Sequence, residues 1–171
     1  MFRKVDLPEG VSGTLYLHSM PGRMEELEDF LKEAERTCVD TIVCLAPEEE
    51  IREKSPEYHR SLSSGAFPVP RIEFPIRDFD VPERDRIEGF MNLAAEVSKM
   101  LLSGKTVLIH CASGAGRTGI LCTCVLFALG VPGEKAVFAT RKAGAEAETV
   151  EQKELVLDCY RKLKRQGEGR G

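Results

Sequence analysis

The sequence predicts an α/β fold: one domain with a central, mostly parallel sheet of four to five strands flanked by helices. Three observations carry this. Short apolar, β-branched runs at Thr41–Leu45 and Thr106–Ile109 read as strands covered on both faces. They alternate with stretches whose apolar residues recur at helical spacing, as in Met24–Arg36. The 171 residues hold no internal repeat, low-complexity block or linker, so a single domain is expected over 1–171, with a disordered polar tail over about 166–171.

In order, Thr14–His18 is a short strand, and Ser19–Gly22 a turn that opens the helix Met24–Arg36. Its inner face is Met24, Leu27, Phe30, Leu31 and Ala34. After the strand Thr41–Leu45, the charged run EEEIREKSPEYHR reads as a solvated helical excursion without chemistry. A Ser, Gly and Pro cluster over Ser61–Pro70 is a loop, and Arg71–Ile76 a strand whose end Pro75 sets near a sheet edge or exit. Asp80, with Pro82 and Glu83 behind it, has the pattern of a helix N-cap with a capping-box acid, so a helix is expected from there to about Leu102. Gly130–Gly133 is a turn, Glu134–Lys142 a short helix and Ala143–Glu148 a loop. A last helix from about Thr149 presents Val156, Cys159, Tyr160 and Leu163 inward.

Composition excludes several functions. A net charge of -4 argues against nucleic acid as a partner, since a basic face would have to be gathered against an acidic total. The N-terminus has no signal-length apolar core, and the longest apolar run, Gly119–Val131, is too short for a bilayer, so a cytoplasmic protein without a membrane partner is expected. The six cysteines include no C-x-x-C pair and sit in apolar or helical surroundings, so neither a metal site nor a disulfide framework is expected. Cys122 and Cys124 read as small buried hydrophobes.

The stretch around which the chain is organised is TVLIHCASGAGRTGILCTCVLFAL, Thr106–Leu129. An apolar strand runs into a glycine-bearing turn, His110–Gly116, and then into an apolar helix from Arg117. That geometry aims backbone N–H groups and the positive end of a helix dipole at one point, an anion site. Gly114, Gly116 and Gly119 fit G-x-G-x-x-G, the dinucleotide fingerprint, but Glu134 opens a helix where that reading needs an acid closing a second strand. No lysine follows the last loop glycine, which excludes a Walker loop.

A second pattern uses more of the residues. His110 to Gly119 spell H-C-x-x-G-x-G-R-T-G, which resembles the signature of the cysteine-dependent protein tyrosine phosphatases. Beyond it, TLYLHSMPGR, TIVCLAPEEE, PIRDFDVPE and RKAGAEAETVEQ look like the small dual-specificity phosphatases, closest to the kinase-associated phosphatase branch. The absent Trp-Pro-Asp loop and the short length speak against the large receptor-type domains. The resemblance implies the protein tyrosine phosphatase-like fold and a cofactor-free phosphomonoester hydrolase. Its substrates would be phosphorylated proteins, with phosphotyrosine and also phosphoserine or phosphothreonine attacked.

The resemblance also implies roles. Cys111, kept as thiolate by the local positive potential, attacks phosphorus and forms a cysteinyl phosphate. Ala112, Ser113, Gly114, Ala115 and Gly116 offer amides to the phosphate, and the planar fork of Arg117 takes two of its oxygens. Asp78, on the loop after a strand, is the general acid and then the base, with Asp80 the understudy. Thr118 donates to the Cys111 sulfur, His110 orients the loop, and Gln152 matches a glutamine-bearing segment near the site. Cys44 aligns with a cysteine that some relatives use to trap the oxidised nucleophile as a disulfide, the alternative being a core cysteine. Phosphoinositide phosphatases usually carry loop lysines, which Ala112, Ser113 and Ala115 are not, and a non-catalytic phosphate-binding module would need a lesion that is not seen. A monomer is expected.

Overall fold

The structure, a computed structural model, describes residues 1–168, with side chains as far as Leu163. Five strands form one sheet in the order β1-β2-β5-β3-β4, where β1 is Arg3–Lys4, β2 Thr14–His18, β3 Thr41–Cys44, β4 Arg71–Glu73 and β5 Thr106–His110. Only β1 runs antiparallel, and β5 lies at the centre, with Ile109 opposite Leu17 on one side and Val43 on the other. Helices α1 (Leu27–Arg36), α2 (Glu48–Lys54), α3 (Pro56–Ser63), α4 (Ile87–Leu102), α5 (Gly116–Ala128), α6 (Gly133–Lys142) and α7 (Val150–Glu168) cover both faces. This is the expected α/β architecture.

Helix α5 is the hub of the larger layer. Every residue from Gly116 to Phe127 is buried, because α4 and α7 flank it and the sheet lies beneath. A helix apolar all round is what a position surrounded by protein requires. The core joins Leu15, Leu17, Val107 and Ile109 of the sheet to Phe90, Val97 and Leu101 of α4 and to Ile120, Leu121 and Val125 of α5. On the other face α1 buries Phe30 and Ala34 against Ile42 and Leu108. Cutting Phe30 to alanine would cost about 3 to 5 kcal/mol by the usual cavity penalty.

Several boundaries differ from the sequence reading. Helix α1 begins at Leu27, since Glu26 is extended, and Met24 lies in the preceding turn, 74% exposed. Strand β4 stops at Glu73, although Phe74 N and Ile76 N still donate to Cys44 O and Leu45 O. Asp80 does not cap a helix. Its Oδ1 accepts from the adjacent Val81 N–H at 2.8 Å, and its carbonyl, which would have started the helical ladder, is taken by Gln152 Nε2 at 3.1 Å. Helix α4 therefore starts at Ile87, after a 3-10 turn over Arg84–Arg86. The tail expected over about 166–171 is helical as far as Glu168, and residues 169–171 lie outside the described residues.

Candidate active site

Strand β5 delivers Cys111, buried, to the carboxyl end of the central strand, and the loop Cys111–Ala115 then turns directly into α5. The loop carbonyls are held from outside. Cys111 O accepts from His110 Nδ1 at 3.0 Å, Ala112 O from Met20 N at 3.0 Å, and Ala115 O from Gly119 N at 2.6 Å. A trans peptide points its carbonyl and its N–H to opposite sides. The N–H groups of Ala112, Ser113 and Gly116 are therefore turned away from those anchors, while the Gly114 N–H donates to Cys111 Sγ at 3.2 Å. Gly114 permits this because its φ is +74°, a value that other residues rarely adopt. Gly119 has a different reason: a Cβ there would lie 2.6 Å from the Glu146 backbone nitrogen, so its absence lets α5 approach the turn after α6.

His110 is buried and bonded at both ring nitrogens. Because Nδ1 faces a carbonyl it carries the proton, so Nε2 accepts from the Tyr58 hydroxyl at 3.3 Å. Burial lowers its pKa to about 4, and the hydrogen bond to the Cys111 carbonyl only partly opposes that. The ring is thus a neutral spacer between α3 and the loop.

Arg117 opens α5 with its side chain 1% exposed. Its Nη1 donates to Glu50 Oε2 at 2.6 Å and to Ile76 O at 2.9 Å, and its Nη2 to Glu50 Oε1 at 3.1 Å and Asp78 Oδ1 at 2.8 Å. The paired Glu50 bonds lie in the plane of the guanidinium and fix its roll. Burial opposes charge on both partners, yet the Glu50 carboxyl is held below its ordinary value by Arg117 and Lys54, and Arg117 is held above its own by Glu50 first. Lys54 Nζ closes the network at 2.6 Å from Glu50 and 3.3 Å from Asp78. A buried thiol, a guanidinium whose Nη donors are held by Glu50, Ile76 O and Asp78 rather than left open as a fork for two phosphate oxygens, and a carboxylate from a separate segment thus lie together at the start of α5, a set of groups that phosphoryl transfer to a cysteine uses.

The model of the Swiss Army Knife protein DSP-PTPase phosphatase domain matches residues 11–166. The chain belongs to this family. It is a protein tyrosine and dual-specificity phosphatase, an enzyme of phosphoproteins. Three solved structures are similar to it. Kinase associated phosphatase with its catalytic site cysteine substituted by serine is 20% identical over 96% of each chain, with a TM-score of 0.78. Tk-PTP in the active form is 25% identical over 93% of this chain and 97% of its own, with a TM-score of 0.67. PTPMT1 in complex with PI(5)P is 16% identical over 90% and 94%, with a TM-score of 0.65.

In this phosphatase the remaining expected residues are distributed unevenly. Gln152 is fully buried, its Oε1 accepting from Glu148 N at 2.8 Å and its Nε2 reaching Asp80 O, so it joins the acid segment to the turn before α7. Thr118 Oγ1 is buried without a hydrogen-bond partner, and the expected bond to Cys111 Sγ is not formed; the sulfur receives the Gly114 N–H instead. Cys44 ends β3 opposite His110 and donates to Ala46 O at 3.6 Å, with burial pushing its pKa up to about 12. Two residues escaped the sequence reading, Glu50 and Tyr58, both in the run read as solvated surface. Ile51 and Tyr58, apolar or aromatic residues eight or fewer positions apart in a charged run, were the available signal; they fasten α2 and α3 inward, and Glu50 follows.

Proposed function

We propose that Cys111, Arg117 and Asp78 carry the phosphatase reaction by the following steps. The Cys111 thiolate attacks phosphorus in line, an S–P bond forms as the P–O bond to the substrate breaks, and Asp78 protonates the leaving oxygen. Arg117 and the amides of Ala112, Ser113, Ala115 and Gly116 hold the equatorial oxygens throughout, while the Gly114 amide stays on the Cys111 sulfur. Water then attacks phosphorus with Asp78 as base, and the thiolate leaves with the electron pair of the S–P bond. Thr118, whose hydroxyl is free, would donate to that departing sulfur, and Glu50 would keep the fork of Arg117 in plane.

The observation that carries this reading is the Asp78–Arg117 bond at 2.8 Å, which joins residues 39 positions apart, one on each side of the nucleophile's loop. The substrate we favour is a protein phosphomonoester, phosphotyrosine first and phosphoserine or phosphothreonine beside it. Ala112, Ser113 and Ala115 offer no cation for a second phosphate, which weighs against the lipid reading that the PTPMT1 complex raises. The same proposal takes residues 1–171 as one domain, the enzyme as a cytoplasmic monomer without a cofactor, and Cys44 as an optional partner for an oxidised Cys111. Light scattering would test the monomer. Peroxide followed by mass mapping would test Cys44, and irreversible Cys111 oxidation without a Cys44–Cys111 link would exclude that role.

The deciding experiment is hydrolysis of para-nitrophenyl phosphate by the wild type and Cys111→Ser. Activity is expected in the first and its loss by about 10⁴-fold or more in the second, as for removal of a nucleophile. Equal rates would refute the proposal. A panel of phosphopeptides and phosphoinositides then reads the substrate class.

A further inference from the structure

The phosphate loop has one more anchor, and it comes from the other end of the chain. Arg3, the first residue of β1, donates from Nη2 to Gly114 O at 2.6 Å and from Nη1 to Gly144 O at 2.5 Å. One planar guanidinium therefore bridges the crown of the loop and the turn that leads from α6 to Glu148 and Gln152. The fit is close on both sides: a Cβ on Gly114 would lie 2.5 Å from Nη2, and one on Gly144 2.9 Å from Nη1. Pairing of Arg3 with Leu17 fixes where the side chain starts. Residue 3 lies outside the stretch 11–166 that the family model matches.

The consequence follows from peptide geometry. Holding Gly114 O toward Arg3 turns the next N–H, that of Ala115, to the opposite side, where it makes a long bond to Ser113 Oγ at 3.4 Å that a phosphate oxygen would replace. Of the four carbonyl anchors, this is the only one that brings a positive charge. Burial works against that charge and lowers the pKa of Arg3 from its ordinary value, an effect that Cys111 and Cys122 only partly oppose.

We propose that Arg3 is a positioning residue of the phosphatase: it locks the Gly114–Ala115 peptide with its N–H toward the phosphate, and ties that peptide to the turn bearing Gln152. This rests on the Cys111 loop being the reacting site. The competing role is a fastener that only holds the edge strand β1 in place.

Arg3→Met and Arg3→Lys separate the two. Four quantities are read: kcat and KM with para-nitrophenyl phosphate, inhibition by inorganic phosphate, the pH dependence of Cys111 alkylation by iodoacetamide, and the thermal midpoint. In Arg3→Met, kcat is expected to fall about ten- to a hundredfold, short of the loss for a full oxyanion donor. Phosphate inhibition weakens with it and alkylation moves to higher pH. Arg3→Lys keeps the charge without the fork, so its alkylation profile stays near wild type while kcat falls. Unchanged kcat, phosphate inhibition and alkylation in Arg3→Met, with only the thermal midpoint lowered, would overturn the proposal. If Arg3→Met does not fold, Arg3→Lys decides, and wild-type kcat there overturns it equally. Should the wild type hydrolyse no phosphoester, the proposed function falls, whereas phosphate binding and alkylation still report whether Arg3 holds the loop.

Discussion

The two sides of the site are built from opposite material. The phosphate side grows out of β5 and α5, with Cys111, Ala112, Gly114, Arg117 and Thr118 all buried, and the carbonyls of Cys111, Ala112, Gly114 and Ala115 are each tied by a hydrogen bond. The acid side is the segment Arg77–Asp80, exposed at every residue and held by the side-chain bonds of Asp78 and the one from Gln152 to Asp80 O. Phe79 there has φ of 60° and is 62% exposed, an arrangement that costs of order 1 kcal/mol or more for a residue with a Cβ. A group that stabilises charge works best when it does not reorganise, whereas a group that gives up a proton and later takes one from water must meet two partners. The difference in burial matches that division of labour.

Arg117→Lys removes the planar fork while keeping the charge, so kcat/KM should fall about a hundred- to a thousandfold with the fold intact, as judged by circular dichroism. On the acid side, Asp78→Asn should cost about a hundredfold with alkyl phosphates, with little change in melting because the side chain is 39% exposed. Asp80→Asn should stay within about twofold, since Asp80 engages Gln152 through its backbone. If Asp80→Asn is the variant that fails, the assignment of the acid is reversed.

Glu50→Gln sharpens the boundary between the sides. It keeps the shape but loses the charge that holds Arg117, and a loss of roughly tenfold in kcat/KM is expected, smaller than for Arg117→Lys. The mildest test is acidification. The folded values of His18 and His110 are lowered to about 4 from 6.5, chiefly by burial, so the unfolded chain binds protons that the folded one refuses. Stability is therefore complete above about pH 6.5 and is lost as the pH falls toward 4, on the order of 2 to 3 kcal/mol for each ring. His110 lies under the phosphate loop, so inactivation should follow melting on the acid limb. A melting temperature flat from pH 7 to 4.5 would contradict this.

Much of the phosphate side was legible because it is local: an apolar strand, a glycine turn and an apolar helix lie consecutively, and the spacing of Cys111 and Arg117 is itself the signature. Asp78, the proposed acid, was indicated by the resemblance together with its place after a strand, and its bond to Arg117 supports that reading. Glu50 was not, because a glutamate that meets an arginine 67 residues on has no periodicity to reveal it. The start of α4 was misread for a related reason: the capping pattern at Asp80 is a local preference, and a side chain from α7 took the carbonyl it needed. Two paired residues in β1 are too few to show alternation, so Arg3 was invisible as well.

The central place of β5 has a kinetic consequence. With β2 and β3 bonded along its two edges, its amides should exchange with solvent only when the whole domain unfolds, while the Arg77–Asp80 segment opens locally and often. Mild heating would then cost the phosphatase its proposed proton donor before its proposed nucleophile. Such a molecule would still take a phosphoryl group from an activated ester, release one equivalent of alcohol in a burst, and stall as the phosphoenzyme.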